Sequence, residues 1–403
     1  MTLQLTDEER GMLAGEQGRA TKKSMEILVA LGEIYGARRL IPVRSVQVAG
    51  VSYDNLGQAG LEFLEEMAAD GRVRVLTTLN PAGMDIESWR ELGIDETFAE
   101  RQRRVIEAFA RMGVIPTCTC TPYLSGNLPR FGQHIAWSES SAVCFANSVI
   151  GARTNREGGP SALAAAIAGR TPGHGLHLER ARVAEVTVQV EARLVDETDF
   201  GALGFVLGQA LGARVPYLTG LDPDVSLDAL KALSASVATY GGAALFHVEG
   251  VTPERPAPPA ERLVVTRAEL DRARDGLSDE VAPDEVDFVS IGCPHASLDE
   301  LARIAGLLRG KRVLRETWIH LARPLRDVAE RAGYVRAIEA SGARLACDTC
   351  MVVAPLRGRF RALATSSAKC VYYSRGKNNF RVLLRSIEDC LALATTAPAG
   401  AER

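Results

Sequence analysis

Two thiols one residue apart, in Thr117-Cys118-Thr119-Cys120-Thr121-Pro122-Tyr123, are the first spacing in this sequence that could do chemistry. Alternate side chains of an extended backbone share a face. Cys118 and Cys120 would then point together, ringed by the hydroxyls of Thr117, Thr119 and Thr121, with Pro122 stopping the strand. Such a strand end could hold a soft metal centre. Free cysteine also serves as a small buried hydrophobe, and the run alone does not separate the two. Two further turns share its grammar: Gly292-Cys293-Pro294-His295, and Cys347-Asp348-Thr349-Cys350 with Pro355 behind it. In each, a strand ends, a thiol appears, and a proline or threonine lies beside it. Thiolates from three separate turns suit an iron–sulfur cluster with one iron left without a protein ligand. A four-cysteine zinc site would favour two CxxC pairs, and only Cys347–Cys350 has that spacing. An open iron acts as a Lewis acid on a hydroxy acid while a base removes a proton, which is dehydratase chemistry.

A second concentration of chemistry lies in Gly132–Pro172, where Glu139, Ser140, Ser141, Asn147, Arg153, Thr154, Asn155, Arg156 and Glu157 are interleaved with small residues. These could converge on a carboxylate or phosphate. The plainer reading is that Ser138–Ser141 caps a helix and Arg153–Glu157 is a solvated loop. Lys369 would join the donors that hold a substrate carboxylate. His134, His177 and His295 sit beside glycine or proline, where histidine commonly serves as a hydrogen-bonded structural residue. His177 is the first of them to test as an acid, base or carboxylate partner.

The elements that must position these groups alternate. Residues 6–34 have helical apolar spacing, Arg39–Val48 reads as a strand, Leu61–Ala69 as a helix, and Val73–Leu79 as a second strand. Phe98–Met112 is a helix that feeds the Cys118/Cys120 strand. This order favours an α/β fold with parallel sheets, whose ligands bind beyond the carboxyl ends of strands. Arg182–Val195 and Ala243–His247 read as strands, Ala202–Leu211 and Ser226–Tyr240 as helices. Pro253–Pro259 is the clearest linker. Beyond it come helix Arg267–Ala273, strand Val286–Ile291, and helix Leu298–Leu308 capped by Ser297 with Glu300 completing a capping box. Val382–Ala394 is an apolar helical run that would bury Cys390, and Cys144 and Cys370 likewise read as packing residues. Residues 397–403 read as a disordered tail.

With 403 residues, 46% of them hydrophobic and 24% charged, two or three domains are expected. The expected divisions are residues 1–125, 126–255 and 256–403. A net charge of −3 gives no support for a nucleic-acid partner. No apolar run is long enough to span a membrane, and residues 1–25 are too polar for a signal peptide. A cytoplasmic protein without structural disulfides among its eight cysteines is expected.

The residues also carry a resemblance. The segments 50–68, TTLNPAGMD (77–85), 119–172, GHGLH (173–177), IGCPHASLDELARIAGLL (291–308), CDTCMVVAP (347–355) and SSAKCVYY (366–373) are similar to the large subunit of the aconitase X family. The resemblance implies an aconitase-like α/β fold with several parallel-sheet subdomains around a central cleft. It implies an iron–sulfur cluster of [4Fe-4S] or [2Fe-2S] type, held by Cys120, Cys293 and Cys350, with Cys118 and Cys347 as extras that favour packing. It implies catalytic roles for Ser140, Ser141, His177 and Lys369, and substrate binding by Tyr53, Asn147, Arg153, Thr154 and Asn155. A separate small swivelling-domain subunit is implied as partner. Members dehydrate cis-3-hydroxy-L-proline, the first expectation here, or mevalonate 5-phosphate. An aconitase-like isomerase of a specialised hydroxy acid and a non-catalytic iron–sulfur sensor also fit the pattern. Gln47, where the family has histidine, and Ser366-Ser367-Ala368 depart from it.

Overall fold

The computed structural model describes residues 3–396. Three parallel sheets organise them. The first runs Leu76–Leu79, Ser45–Val48, Ala136–Trp137, with Gln47 opposite both Thr78 and Trp137. Its strands are buried along nearly their whole length, because helices Arg19–Ile34, Tyr53–Met67, Glu96–Arg111 and Gly159–Ala168 cover it. Parallel strands covered on both faces have no reason to alternate apolar with polar.

The second sheet runs His247–Val248, Pro216–Thr219, Val186–Val190, Arg262–Val265. Helices Glu197–Leu211 and Leu227–Tyr240 pack beside it so closely that a Cβ on Gly204 would lie 2.5 Å from that of Ser236. The third, five-stranded sheet runs Arg344–Cys347, Glu316–Leu321, Phe288–Ile291, Ala362–Thr365, Arg381–Leu384. Each sheet has its own core. A fourth core, with Met84 and Trp89 against Phe288, Trp318 and Leu363, joins the first sheet's connections to the third sheet. No described helix is long and apolar enough to cross a membrane.

The α/β class with several parallel sheets is as expected, and so is the capping of Leu298–Leu308. Ser297 Oγ accepts from the Glu300 N–H at 3.1 Å, and the Glu300 carboxylate accepts from the Ser297 N–H at 2.9 Å. Several elements differ. The lead-in is two helices, Asp7–Ala14 and Arg19–Ile34, because Gly15 and Gly18 take φ of +94° and +100° between them. Arg39–Val48 is broken around Val43 and Arg44, and its first piece, Leu40–Pro42, pairs antiparallel with Arg170–Pro172. Pro253–Pro259 is a loop inside the second sheet, since Arg262–Val265 beyond it pairs with Val186–Val190. Val382–Ala394 is not one helix but strand Arg381–Leu384 followed by helix Ile387–Ala394, turned by the N-cap Ser386. The tail at 397–403 lies outside the described residues.

Candidate active site

The carboxyl ends of strands from two sheets supply one polar centre. From the first sheet, Leu76–Leu79 delivers Asn80 and Ala136–Trp137 delivers Glu139. From the third, Phe288–Ile291 delivers Cys293, Arg344–Cys347 delivers Cys350, and Ala362–Thr365 delivers Lys369. Gly292 makes the first of these turns possible. Its φ is +96°, and a Cβ there would lie 2.3 Å from the His320 carbonyl oxygen.

Glu139 N-caps helix Ser140–Phe145 and is the hub. Its Oε1 accepts from Lys369 Nζ, from Ser141 Oγ at 3.0 Å and from Ser140 Oγ at 3.5 Å, while Oε2 accepts from Asn80 Nδ2 at 2.9 Å. Burial alone would raise the pKa of this carboxyl, but the Lys369 ammonium and these donors hold it down at about 2. The same pairing, helped by the Cys293 and Cys120 thiols, keeps Lys369 cationic against its burial. Gln47, fully buried, ties the first sheet's contributions together. It donates to the Thr119 carbonyl at 3.0 Å and accepts from the Glu139 N–H at 3.3 Å. Its position near the centre therefore serves to hold Glu139.

Cys120, Cys293 and Cys350 are electrostatic neighbours in this centre. Burial and the Glu139 carboxylate push Cys120 up, and burial with the Cys293 thiol pushes Cys350 up to about 12. Cys293 goes the other way, because the Cys370 S–H donates to it and Lys369 lies near. His295 clamps the three turns. Its N–H donates to Cys120 Sγ at 3.2 Å, Nδ1 meets Thr119 Oγ1 at 3.0 Å, and Nε2 meets the Thr349 carbonyl at 2.9 Å. A carbonyl only accepts, so the proton sits on Nε2 and Thr119 donates to Nδ1. Burial keeps the ring neutral, at about 4. His295 is thus a structural histidine. No trio of His, Cys, Asp or Glu among the described residues converges on a single-ion site. The soft donors a larger cofactor would use are these three thiols, beside the buried, unpartnered Thr349 Oγ1.

Cys118 does not share a face with Cys120. Its φ of +43° turns the chain, and its thiol packs in the first core near Asp348 and Arg323. Cys347 lies in the third core, its N–H donating to Asp85. Cys144 and Cys390 are core residues. Cys370, expected to be inert packing, is instead the hydrogen-bond partner of Cys293, with Met351 Sδ 3.2 Å from its sulfur.

Of the expected site residues, Ser140, Ser141 and Lys369 join the three thiols; the others sit elsewhere. Helix Ser140–Phe145 continues as a wider turn over Ala146–Ile150, and Gly151 then reverses the chain at φ +75°. The returning segment runs beside Ala136–Trp137, with Arg153 level with His134 and Arg156 level with Trp137. Arg153 and His177 therefore line a cleft at the amino side, with His134 and Glu179. Asn147 and Thr154 are consumed by structural bonds. Asn147 Oδ1 accepts from the Thr154 N–H and from Arg182, and Thr154 Oγ1 donates to the Asn155 carbonyl. Asn155 holds the His174 and Leu176 backbone. Tyr53 opens a helix and packs edge-on against Phe98, under Arg101. Register explains the difference: only residues at the carboxyl end of Ala136–Trp137 reach the centre, and Arg153 is level with its amino side.

One residue at the centre, Tyr373, was missed. It is one helical turn beyond Lys369, so the i, i+4 rule could have placed it on the same face. Burial raises its hydroxyl, and Lys369, Glu139, Arg156 and Cys293 all act on it. Arg156, one of the polar residues picked out between Gly132 and Pro172, reaches the centre electrostatically through Tyr373, while its exposed side chain lines a second cleft with Asn155 and His174.

Family models match along the chain: aconitase X first domain over residues 2–180, second domain over 184–275 and third domain over 286–396. The phosphomevalonate dehydratase large subunit of Methanothermobacter thermautotrophicus is 50% identical over 374 residues, 91% of this chain and 93% of that protein. That of Thermococcus kodakarensis is 48% identical, covering 96% and 98%. The cis-3-hydroxy-L-proline dehydratase of Pseudomonas aeruginosa is 37% identical, covering 97% of this chain and 70% of that protein. The crystal structure of Thermococcus kodakaraensis aconitase X in its holo-form superposes with a TM-score of 0.91 at 46% identity, over 98% of this chain and all of that one. With its three domains matched in order and its relatives named as dehydratases, the chain belongs to the aconitase X family of hydro-lyases.

Proposed function

We propose that this chain is the large subunit of a mevalonate 5-phosphate dehydratase. In this proposal Cys120, Cys293 and Cys350 hold an iron–sulfur cluster, and a small swivelling-domain subunit completes the site. The observation that carries the chemistry is the meeting of three thiols from three separate turns with a buried Lys369–Glu139 pair. Three thiols that neighbour one another from separate turns suit a multi-iron body. The substrate rests on the relatives. Those named phosphomevalonate dehydratase large subunits reach 50% and 48% identity over nearly their whole length, whereas the hydroxyproline enzyme, the first expectation from sequence, reaches 37% over 70% of its own.

Once bound, the cluster supplies a Lewis-acidic iron that makes the hydroxyl a better leaving group. The chain's own residues do the rest of the positioning. Lys369, kept cationic, offers its ammonium to the substrate carboxylate, and Arg156 adds a second cation at the rim. Glu139 accepts hydrogen bonds from the Ser140 and Ser141 hydroxyls, which orients both of them for contact with substrate. Tyr373 stays protonated and donates. A carboxylate held near 2 is a weak base at neutral pH, which leaves the proton acceptor to the small subunit.

The test is anaerobic reconstitution of the two subunits with iron and sulfide, then incubation with mevalonate 5-phosphate and, separately, with cis-3-hydroxy-L-proline. Loss of water from the phosphorylated substrate, followed by 31P NMR and mass, is expected. Turnover of the proline alone would replace the substrate, and full activity in a colourless preparation would remove the cluster.

A further inference from the structure

The dehydration chemistry leaves one built polar cleft unused. It is lined by His134, His177, Arg153, Arg38, Arg39 and Arg180, with Glu179 as its one carboxylate. His134 lies five residues before Glu139 on a near-extended segment, which puts the cleft roughly 16 Å from the catalytic centre. His177 is 2% exposed. Its Nδ1 is 3.1 Å from His134 Nδ1, and its Nε2 has no partner. Two imidazole nitrogens at that distance need one proton between them. If His134 supplies it, His177 carries its own proton on Nε2, a buried donor aimed at nothing. Arg153 repeats the pattern. Its Nη2 pairs with Glu179 at 2.9 Å and Nη1 reaches the His177 carbonyl, but its Nε–H is buried without an acceptor. Buried donors are rarely left so. Arg38 and Arg39 are bound through their backbone carbonyls, by Gln4 and Gly173, and their side chains are exposed at the mouth.

We propose that this cleft is a second ligand site, distinct from the catalytic centre, that takes a phosphate group, with the Arg153 Nε–H and His177 Nε2–H as its buried donors and Arg38 and Arg39 as its charged rim. A tetrahedral oxyanion offers acceptors to both donors at once and offsets the excess of arginine. Free phosphate and a small phosphomonoester share this chemistry.

Inorganic phosphate is titrated into the intact protein by calorimetry, and into protein labelled only at its six histidines for NMR. Arg39→Glu should weaken phosphate binding by about tenfold, while Lys369→Met, at the other centre, leaves it unchanged. The His134 and His177 ring signals should move on addition, and those of His295 and His320 should stay. Glycerol 3-phosphate in parallel tells an esterified ligand, which binds tighter, from free phosphate. Equal affinity of Arg39→Glu and wild type would overturn the assignment, as would still His134 and His177 signals at saturating phosphate. Arg39 is exposed, so its substitution does not threaten folding. The readout is binding rather than turnover, so failure here and failure of the dehydratase proposal are separate results.

Discussion

The two polar regions beside Ala136–Trp137 use opposite electrostatic strategies. At the carboxyl end, Glu139 and Lys369 are 12% and 7% exposed and neutralise one another, with three thiols beside them. At the amino end, burial and neighbouring arginines hold His134 and His177 neutral, and cations outnumber the one carboxylate. The first region is charged and internally paired, as a centre that must keep a fixed field does. The second leaves donors without acceptors. The lesson is that a polar block along one strand is not one site, because the two ends of the strand face different surroundings.

The largest effect that would test this contrast is at a thiol. Cys293→Ser should abolish visible absorption and lower turnover by more than about a hundredfold, since changing a group that merely supports a metal ligand already reaches that size; a coloured, active variant would dissolve the thiol centre. Lys369→Met should follow, destabilising the protein by about 3–5 kcal/mol because it strands a buried carboxylate. Urea unfolding measures it, and adding Glu139→Gln should recover part of the loss. Absence of that recovery would mean the pair is not coupled. Cys370→Ser comes next. If the proposed cluster is held by Cys293, colour should be retained while its reduction potential moves, because a donor to the Cys293 sulfur has been changed; an unmoved potential would return Cys370 to mere packing.

At the amino end the expected effects are smaller. Burial, followed by His134 and the nearby cations, holds His177 down to about 3, against about 6.5 when unfolded. A lowered imidazole contributes stability that is whole above the unfolded value and is lost as pH falls toward the folded one. The thermal midpoint of wild type relative to His177→Gln should therefore decline between about pH 6.5 and 3. A constant difference would mean that the ring is already charged. Tyr53→Phe should change least, within about 0.5 kcal/mol in stability and without effect on turnover. A raised KM would bring Tyr53 back to the substrate.

Much of this was legible in one dimension. The capping box at Ser297 and Glu300, the strand before Cys293 and the order of strands and helices follow from local propensity and period, which neighbours in sequence decide. The shared turn grammar of Cys120, Cys293 and Cys350 marked the thiol centre. Other features were not legible. Arg153 and Arg156 look equivalent in a polar run, and only the bridges to His134 and Trp137 assign them to different ends of a sheet. Cys118 and Cys120 look like partners, and only a positive φ parts them. Cys370 looks like core, and its neighbour Cys293 is 77 residues away in the chain.

What the sequence determined by itself is the α/β layering, the family, and which residue types are on offer. What the tertiary structure decided is which of them meet. Thiols, a lysine and a glutamate come together because strands of two sheets end at one place, while the expected substrate-binding set, from Tyr53 to Asn155, lies away from it. The physical reason is that period and propensity act over a few residues, whereas register and sheet packing act between segments hundreds of residues apart.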